Sequence, residues 1–174
     1  MPEIEFSVSL TTRNPRGGEV NGTDYHFVSE DEFIRRREGG ELAEWAQVFD
    51  ANYGTLKCPL DDAVAAGRDI LLDIDIQGAR QIRAAFPRDS VAVFVLPPTF
   101  DELAQRLRKR GTETDAAIAQ RLARSRDEAR AYTEYDYLII NRDIDDSVEC
   151  FRSIVNAERS RVARLGEGFA PWKS

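Results

Sequence analysis

With 174 residues and a formal net charge of -7, the chain has the size of one domain, and its acidity argues against a general nucleic-acid binder. No stretch approaches the roughly 20 apolar residues of a membrane span, and the N-terminal letters "MPEIEF" lack the basic and apolar regions of a secretory signal. His26 is the single histidine, and the two cysteines lack the spacing of metal or redox sites, so most histidine- and cysteine-based sites are excluded. We expect a cytoplasmic protein with free thiols, whose arginines act locally.

The first predicted element is a strand over residues 5–13. Apolar and polar side chains alternate there, which is typical of a strand with an apolar back and a polar face toward a cleft. Gly17-Gly18 interrupts the pattern, and Asn21-Gly22 is a hairpin signal that leads into "TDYHFV". These signals predict a small subdomain of strands and turns over residues 11–56, attached to a larger sheet.

A helix, a strand and a second helix are predicted next. Ser29 and Glu32 have the spacing of a capping box, so a helix should start after Ser29 and end at Gly39-Gly40. The letters "ELAEWAQVF" predict a strand, and "DANYGT" predicts a turn. A short helix is then expected over residues 60–66, with its end at Gly67.

The second half of the chain alternates between apolar runs and helical patterns. Three short apolar runs are typical of buried parallel strands, at residues 69–75, 91–97 and 135–141. Helices are expected between and after them, at residues 77–86, 99–109, 115–131 and 144–165. This alternation predicts a doubly wound α/β sheet, followed by a tail without periodicity at residues 166–174.

Arg13 and Arg16 form a candidate anion site near the start of the chain. Each guanidinium group presents paired N–H donors, and two of them around Pro15 suit a phosphate, which accepts bidentate hydrogen bonds from each. Tyr25 and Tyr53 would add neutral donors. The alternative is a pair of solvated surface arginines.

Three acidic side chains are candidates for ligand recognition. Glu44 lies among partly buried neighbours, so its carboxylate needs a partner: either an intramolecular salt bridge or the adjacent N–H groups of a ligand such as guanine. Asp73 and Asp75 follow the apolar letters "ILL" at the carboxyl end of a predicted parallel strand. In open α/β sheets that end is where ligands and magnesium are bound.

Four arginines surround a Gly-Thr break in the second half: Arg106, Arg110, Arg121 and Arg124. Acidic residues are interleaved with them, so an ordinary salt-bridged helix is one interpretation. The other is a mobile lid whose arginines close on transferred phosphates.

Five blocks of the sequence become specific in combination: "SVSLTTRNPRGGEVNGTDYHFVSEDEF", "GELAEWAQVFDANYGT", "DILLDIDIQGARQIR", "LPPTFDELAQRLRKRGTET" and "YDYLIINRDIDDSV". In this order and spacing they resemble guanylate kinases, and the resemblance covers residues 5–165. The resemblance implies a P-loop nucleoside-monophosphate kinase fold, an α/β fold with a parallel sheet and helices on both faces. Within one domain over residues 1–165 it implies a GMP-binding subdomain at 11–56, core at 57–106 and 132–165, and a lid region at 107–131.

The resemblance also implies a reaction and the residues that serve it. Guanylate kinases transfer the γ-phosphate of ATP to GMP, giving GDP and ADP, with Mg²⁺. The phosphate of GMP would be held by Arg13, Arg16, Tyr25 and Tyr53, and the guanine would be recognised by Ser9, Glu44, Thr55 and Asp75. Asp73 would lie near Mg²⁺, and the lid arginines facing ATP would be Arg110 and Arg121, with Arg106 and Arg124 beside them.

One departure from the family concerns ATP. Guanylate kinases begin with an apolar strand, a GxxxxGK[ST] loop and a helix, whereas the three lysines of these 174 residues, Lys57, Lys109 and Lys173, never follow a glycine. Gly17 and Gly22 have the glycine spacing without the lysine. We therefore expect a GMP site, but ATP binding only if the loop is supplied, so the chain alone should have little activity. The missing strand should also leave sheet edges and apolar helix faces exposed.

Two other functions remain open on the sequence. A non-catalytic guanylate-kinase-like module that binds peptides fits the missing loop, although the arginine, tyrosine and glutamate residues of a GMP site are all retained. A kinase for a ribose phosphate on a related fold would not need Glu44 and Asp75 to recognise guanine.

Overall fold

The computed structural model describes residues 4–110 and 114–164, without the side chain of Arg110. The predicted tail at 166–174 and the Gly-Thr break at 111–112 therefore lie outside the described residues. Contacts divide the chain into two compact units, Met1–Val91 and Ala92–Ser174. No helix in the described ranges is both long enough and apolar enough to cross a membrane.

The first unit contains two sheets and three helices in its described part. The elements in chain order are β1 (Ile4–Phe6), β2 (Leu10–Thr11), β3 (His26–Phe27), α1 (Glu30–Glu38), β4 (Leu42–Val48), β5 (Ala51–Leu56), α2 (Lys57–Ala65), β6 (Asp69–Leu71) and α3 (Ile76–Ala85). Strands β1 and β6 pair in parallel, and a second sheet has the strand order β3-β2-β5-β4.

The predicted strand over residues 5–13 is two strands in two different sheets. Phe6 in β1 pairs with Leu71 of β6, whereas Leu10 in β2 pairs with Gly54 of β5. The chain changes sheets between them, and alternation alone does not reveal this change because both strands keep the same period. Ser9 lies at the crossing, where its carbonyl oxygen accepts a 2.9 Å hydrogen bond from the amide of His26.

The predicted hairpin at Asn21-Gly22 is wrong in its pairing. Strand β3 runs parallel to β2, with Leu10 opposite His26, so the intervening loop crosses over instead of reversing the chain. Gly22 has a φ of +82°, a backbone conformation that favours glycine. The side-chain oxygen of Asn21 accepts a 2.9 Å hydrogen bond from the amide of Phe27. The Asn-Gly pair therefore closes a loop and does not join two antiparallel strands.

The predicted helix α1 and strand β4 are confirmed. The Ser29 hydroxyl accepts a 3.2 Å bond from the amide of Glu32 at the start of α1, and Gly40 follows its end with a φ of +70°. The predicted turn over "DANYGT" is wrong, because the turn is made by residues 49–50 and Ala51–Leu56 form β5. Helix α2 begins at Lys57, three residues before its predicted start.

The second unit contains a parallel strand pair and helices at the predicted places. Its elements are β7 (Val93–Leu96), α4 (Phe100–Arg110), α5 (Asp115–Glu128), a 3₁₀ helix (Ala129–Glu134), β8 (Tyr137–Ile140), α6 (Ile144–Arg159) and a second 3₁₀ helix (Val162–Arg164). Val93 of β7 pairs with Tyr137 of β8. The two long helices predicted over residues 115–131 and 144–165 are each an α-helix followed by a 3₁₀ helix.

The strands are less covered than their apolar sequences predict. The β1–β6 pair exposes 55% of Phe6, and Val95 of β7 is also 55% exposed. Exposed apolar side chains on β8 and α6 include Leu138 and Ile144. The prediction of strands buried on both faces is therefore wrong, while exposed Ile144 and Val148 on α6 meet the expectation of exposed apolar helix faces.

Candidate functional site

A buried carboxylate and a buried hydroxyl form the centre of the candidate site. Glu44 of β4 lies opposite Thr55 of β5, and the Thr55 hydroxyl donates a 2.6 Å hydrogen bond to Oε1 of Glu44. The two residues are 4% and 0% exposed. Burial raises the pKa of Glu44, and the hydrogen bond from Thr55 opposes that effect. Among residues 4–110 and 114–164 the Glu44 carboxylate has no ion-pair partner, so the predicted alternative of a salt bridge is wrong.

The first turn of α3 brings a second carboxylate to Glu44. Asp75 caps this helix, and its Oδ1 accepts a 2.9 Å bond from the amide of Gly78. A β-carbon added to Gly78 would overlap the Glu44 carboxylate, lying 3.0 Å from its Cδ atom. The charge of Asp75 contributes to the raised pKa of Glu44. Glu44 and Asp75, here called the carboxylate pair, are thus brought together as predicted.

A glutamine that the sequence analysis did not single out ties α3 to the edge strand β4. The Gln81 side-chain amide accepts from the Trp45 amide at 3.2 Å and donates to the Trp45 carbonyl at 2.7 Å. These bonds satisfy both backbone groups of the residue after Glu44. The available signal was its helical spacing, since Gln81 follows Gly78 by three residues and so lies on the same face of α3.

A second group of predicted residues gathers around Arg13. Its Nε lies 3.3 Å from the Tyr53 hydroxyl, and its guanidinium carbon lies 5.3 Å from the centre of the Tyr25 ring. The two tyrosine rings are 6.0 Å apart. Burial raises the pKa of Tyr25, and the negative charge of Asp73 adds to that effect. We call Arg13, Tyr25 and Tyr53, together with Arg16, which the sequence analysis assigned to the same phosphate, the arginine–tyrosine cluster.

A glutamate missed by the sequence analysis pairs with Arg13. Oε1 and Oε2 of Glu19 accept bonds of 2.9 Å from Nη2 and Nη1 of Arg13. Glu19 Oε2 also accepts a 2.6 Å bond from the Arg16 amide, and these contacts lower the pKa of Glu19 to about 2. The Arg13 side chain is only 16% exposed, so the alternative of solvated surface arginines is wrong for Arg13.

The other predicted residues are placed with less contact. Arg16 is exposed, and its guanidinium makes no hydrogen bond or ion pair within the described ranges. Ser9 is half-buried at the sheet crossing, and Asp73 is exposed between β6 and α3. Within those ranges no group of three or more histidine, cysteine and acidic residues could hold a metal ion.

The arginines of the second unit belong to helices α4 and α5. Arg106 pairs with Glu102 at 2.9 Å, and Arg124 pairs with Glu128, as the salt-bridged helix interpretation expects. Arg121 is half-buried on α5, whose first turn is capped by the Thr114 hydroxyl at 3.3 Å from the amide of Ala117. The side chain of Arg110 lies outside the described residues, so the lid remains a prediction.

Comparison with known proteins gives one consistent result. Residues 2–158 match the sequence model of the guanylate kinase family. The chain is 50% identical over 171 residues to a guanylate kinase of Maricaulis maris, covering 98% of this chain and 76% of that relative. It is 46% identical to one of Symbiobacterium thermophilum, covering 95% and 78%.

A solved structure extends the similarity to the fold. The crystal structure of guanylate kinase from Anaplasma phagocytophilum matches with a TM-score of 0.83 at 36% identity. The match covers 95% of this chain and 81% of that one. The expected α/β fold with parallel strands and helices is therefore confirmed.

Proposed function

The chain belongs to the guanylate kinase family, and we propose that its first compact unit is the GMP site for transfer of the γ-phosphate of ATP to GMP. The observation that carries this proposal is the carboxylate pair of Glu44 and Asp75. Guanine presents adjacent N–H donors at N1 and N2, and two carboxylates close together are matched acceptors. Adenine has an unprotonated N1 at the same place and would oppose a lone pair to a carboxylate. The pair therefore selects guanine.

Thr55 would set the geometry of this recognition. Its hydroxyl holds Oε1 of Glu44 in a buried position. On the other side, Gly78 in the first turn of α3 lies close to Oε2 and restricts movement of the carboxylate. A carboxylate held by its neighbours loses little conformational freedom when a ligand binds. Ser9, at the crossing between the sheets, would supply a further hydroxyl to the base.

The arginine–tyrosine cluster would bind the phosphate of GMP. Arg13 and Arg16 supply positive charge, and the hydroxyls of Tyr25 and Tyr53 supply neutral donors. The pKa of Arg13 is raised above its usual value by the bond to Glu19, so it remains cationic at every relevant pH. The two arginines would offset part of the charge that a phosphate brings into an acidic protein, since the charge of Arg13 is already paired with Glu19.

The rest of the proposal concerns phosphoryl transfer. Mg²⁺ bound with ATP would neutralise phosphate charge, and Asp73 is the carboxylate of the first unit that we assign to its neighbourhood. Arg110 and Arg121 would stabilise the transferred phosphoryl from the lid region at 107–131. The remaining assignment is a GMP-binding subdomain at 11–56, with core at 57–106 and 132–165.

We further propose that residues 1–174 taken alone bind GMP but transfer phosphate slowly. Phosphoryl transfer relies on positioning and on charge stabilisation, which a GxxxxGK[ST] loop supplies through its amides and lysine. That motif is absent from these residues. The lid arginines do not replace it, because they act on a nucleotide that is already bound.

The experiment measures binding and turnover of the 174-residue chain. Calorimetric titration should show binding of GMP and much weaker binding of ribose 5-phosphate, since the phosphate contacts alone do not use the carboxylate pair. Equal affinity for the two would favour a ribose phosphate kinase and contradict the proposal. Formation of GDP from GMP and Mg-ATP should be slow, and rapid formation in a preparation free of other kinases would overturn the proposal of slow transfer.

A further inference from the structure

The carboxylate of Glu19 makes three hydrogen bonds inside the arginine–tyrosine cluster. Two come from the paired Nη groups of Arg13 at 2.9 Å, and the third comes from the backbone amide of Arg16 at 2.6 Å. The side chain of Glu19 is 20% exposed. One carboxylate thus joins both arginines that are assigned to the phosphate, the first through its side chain and the second through its backbone.

These bonds determine which part of Arg13 faces the tyrosines. Glu19 occupies the end of the guanidinium that the two Nη atoms share, and the Asn14 carbonyl accepts a 2.7 Å bond from Nη1. The adjacent side edge carries Nε, which donates to the Tyr53 hydroxyl at 3.3 Å, and it shares Nη2 with the end that is bound to Glu19. A phosphate approaching the tyrosines would therefore meet this edge and not the end of the guanidinium.

We propose that Glu19 is a positioning residue for the phosphate of GMP, acting through Arg13 and the backbone of Arg16. This inference rests on the GMP site proposed above. Without Glu19, the Arg13 side chain would lose the bidentate bond that fixes the Nε–Nη2 edge toward Tyr53. A flexible arginine loses more conformational entropy on binding phosphate than one already held in place.

The opposite role, in which Glu19 occupies the place of the phosphate, fits the contacts less well. The bond from the Arg16 amide ties Glu19 to the backbone of its own loop, independently of Arg13. A carboxylate held in this way does not leave Arg13 freely when another anion arrives. The two roles predict effects of opposite sign, so binding measurements separate them.

The experiment compares GMP and guanosine by calorimetric titration of the 174-residue chain and its variants. Glu19→Gln keeps the size of the side chain but loses the bidentate acceptor, and should weaken GMP about tenfold while guanosine is unchanged. In an Arg13→Ala background the same substitution should weaken GMP by clearly less than in the parent chain, because only the bond to the Arg16 amide is then left to lose. Glu38→Gln is the matched control, since it removes one negative charge from an exposed side chain of the same unit.

Three outcomes would overturn the inference. Tighter GMP binding by Glu19→Gln would mean that Glu19 competes with the phosphate, and equal weakening of GMP and guanosine would mean a general structural role. Unchanged GMP binding would mean no role. If Glu19→Gln lowers the melting temperature too far for titration, Glu19→Asp is measured instead, because its shorter side chain cannot span Arg13 and the Arg16 amide. Failure of the parent chain to bind GMP would instead contradict the proposed function.

Discussion

Gly78 lies so close to Glu44 that a β-carbon on Gly78 would overlap the Oε2 atom of the buried carboxylate. The same glycine donates its amide to Asp75 at 2.9 Å, so one residue of α3 touches both members of the carboxylate pair. The backbone of Gly78 does not require a glycine, because its φ is not positive. The close approach to Glu44 is therefore the reason for the glycine at this position.

Gly78→Ala should displace Glu44 and reduce discrimination between GMP and AMP. Overpacking of a buried site costs about 1–3 kcal/mol of unfolding free energy, so the variant should also be less stable in urea. Gly17→Ala is the control for stability, because a β-carbon there meets no atom within 4 Å. Unchanged discrimination in a folded Gly78→Ala protein would contradict the assigned contact.

Thr55→Val should weaken binding of guanosine and lower stability. Valine has nearly the same shape as threonine, but it lacks the hydroxyl that donates the 2.6 Å hydrogen bond to Glu44. Leaving a buried carboxylate without this donor costs about 1–3 kcal/mol of unfolding free energy. Thr55→Ser keeps the hydroxyl and serves as the control. Urea unfolding and guanosine titration measure the two effects, and a fully stable Thr55→Val protein would show that the bond contributes little.

Guanosine affinity should fall as the pH is lowered from neutrality. The pKa of Glu44 lies above its ordinary value of 4.5 because the carboxylate is buried, so its acceptor form is lost at a higher pH than in an exposed glutamate. Guanosine is the appropriate ligand, because the phosphate of GMP itself titrates near neutrality. Glu44→Gln should bind more weakly with a much flatter pH profile, and an identical profile in both proteins would exclude Glu44 as the titrating group.

Arg13→Ala and Arg16→Ala should each weaken GMP by about 10- to 100-fold, since a hydrogen bond to a charged group contributes roughly 1.5–3 kcal/mol. Guanosine, which has no phosphate, should be nearly unaffected. Arg35→Ala is the matched control, because this arginine of α1 is paired with Glu32 and Glu41 and is assigned no part in phosphate binding. Parallel weakening of nucleoside and nucleotide would show that the two arginines serve the fold and not the phosphate.

The sequence predicted the type of site better than its connections. The sequence singled out Glu44, Asp75 and Arg13, because folding alone seldom requires acids in apolar surroundings or two neighbouring arginines. The family resemblance then gave each of them a role. Gln81 was missed because its partner Trp45 is 36 residues away. Nothing in the local pattern of α3 indicates which strand its glutamine faces.

The errors in the fold have the same origin. Side-chain alternation correctly indicated extended backbone near Phe6 and Leu10, but it could not show that the two residues pair with different sheets. The Asn-Gly signal at residues 21–22 correctly marked a glycine with positive φ, but the parallel pairing of β2 and β3 is decided by long-range contacts. Local patterns specify backbone conformation, whereas tertiary packing specifies partners.

The central claim is that the carboxylate pair selects guanine, and the most direct measurement is a calorimetric titration of the chain with GMP and with AMP under identical conditions. The two nucleotides carry the same phosphate and ribose, so any difference arises from the base. We expect AMP to bind at least about 100-fold more weakly, because it leaves buried acceptors without donors. Equal affinities for GMP and AMP would contradict the account.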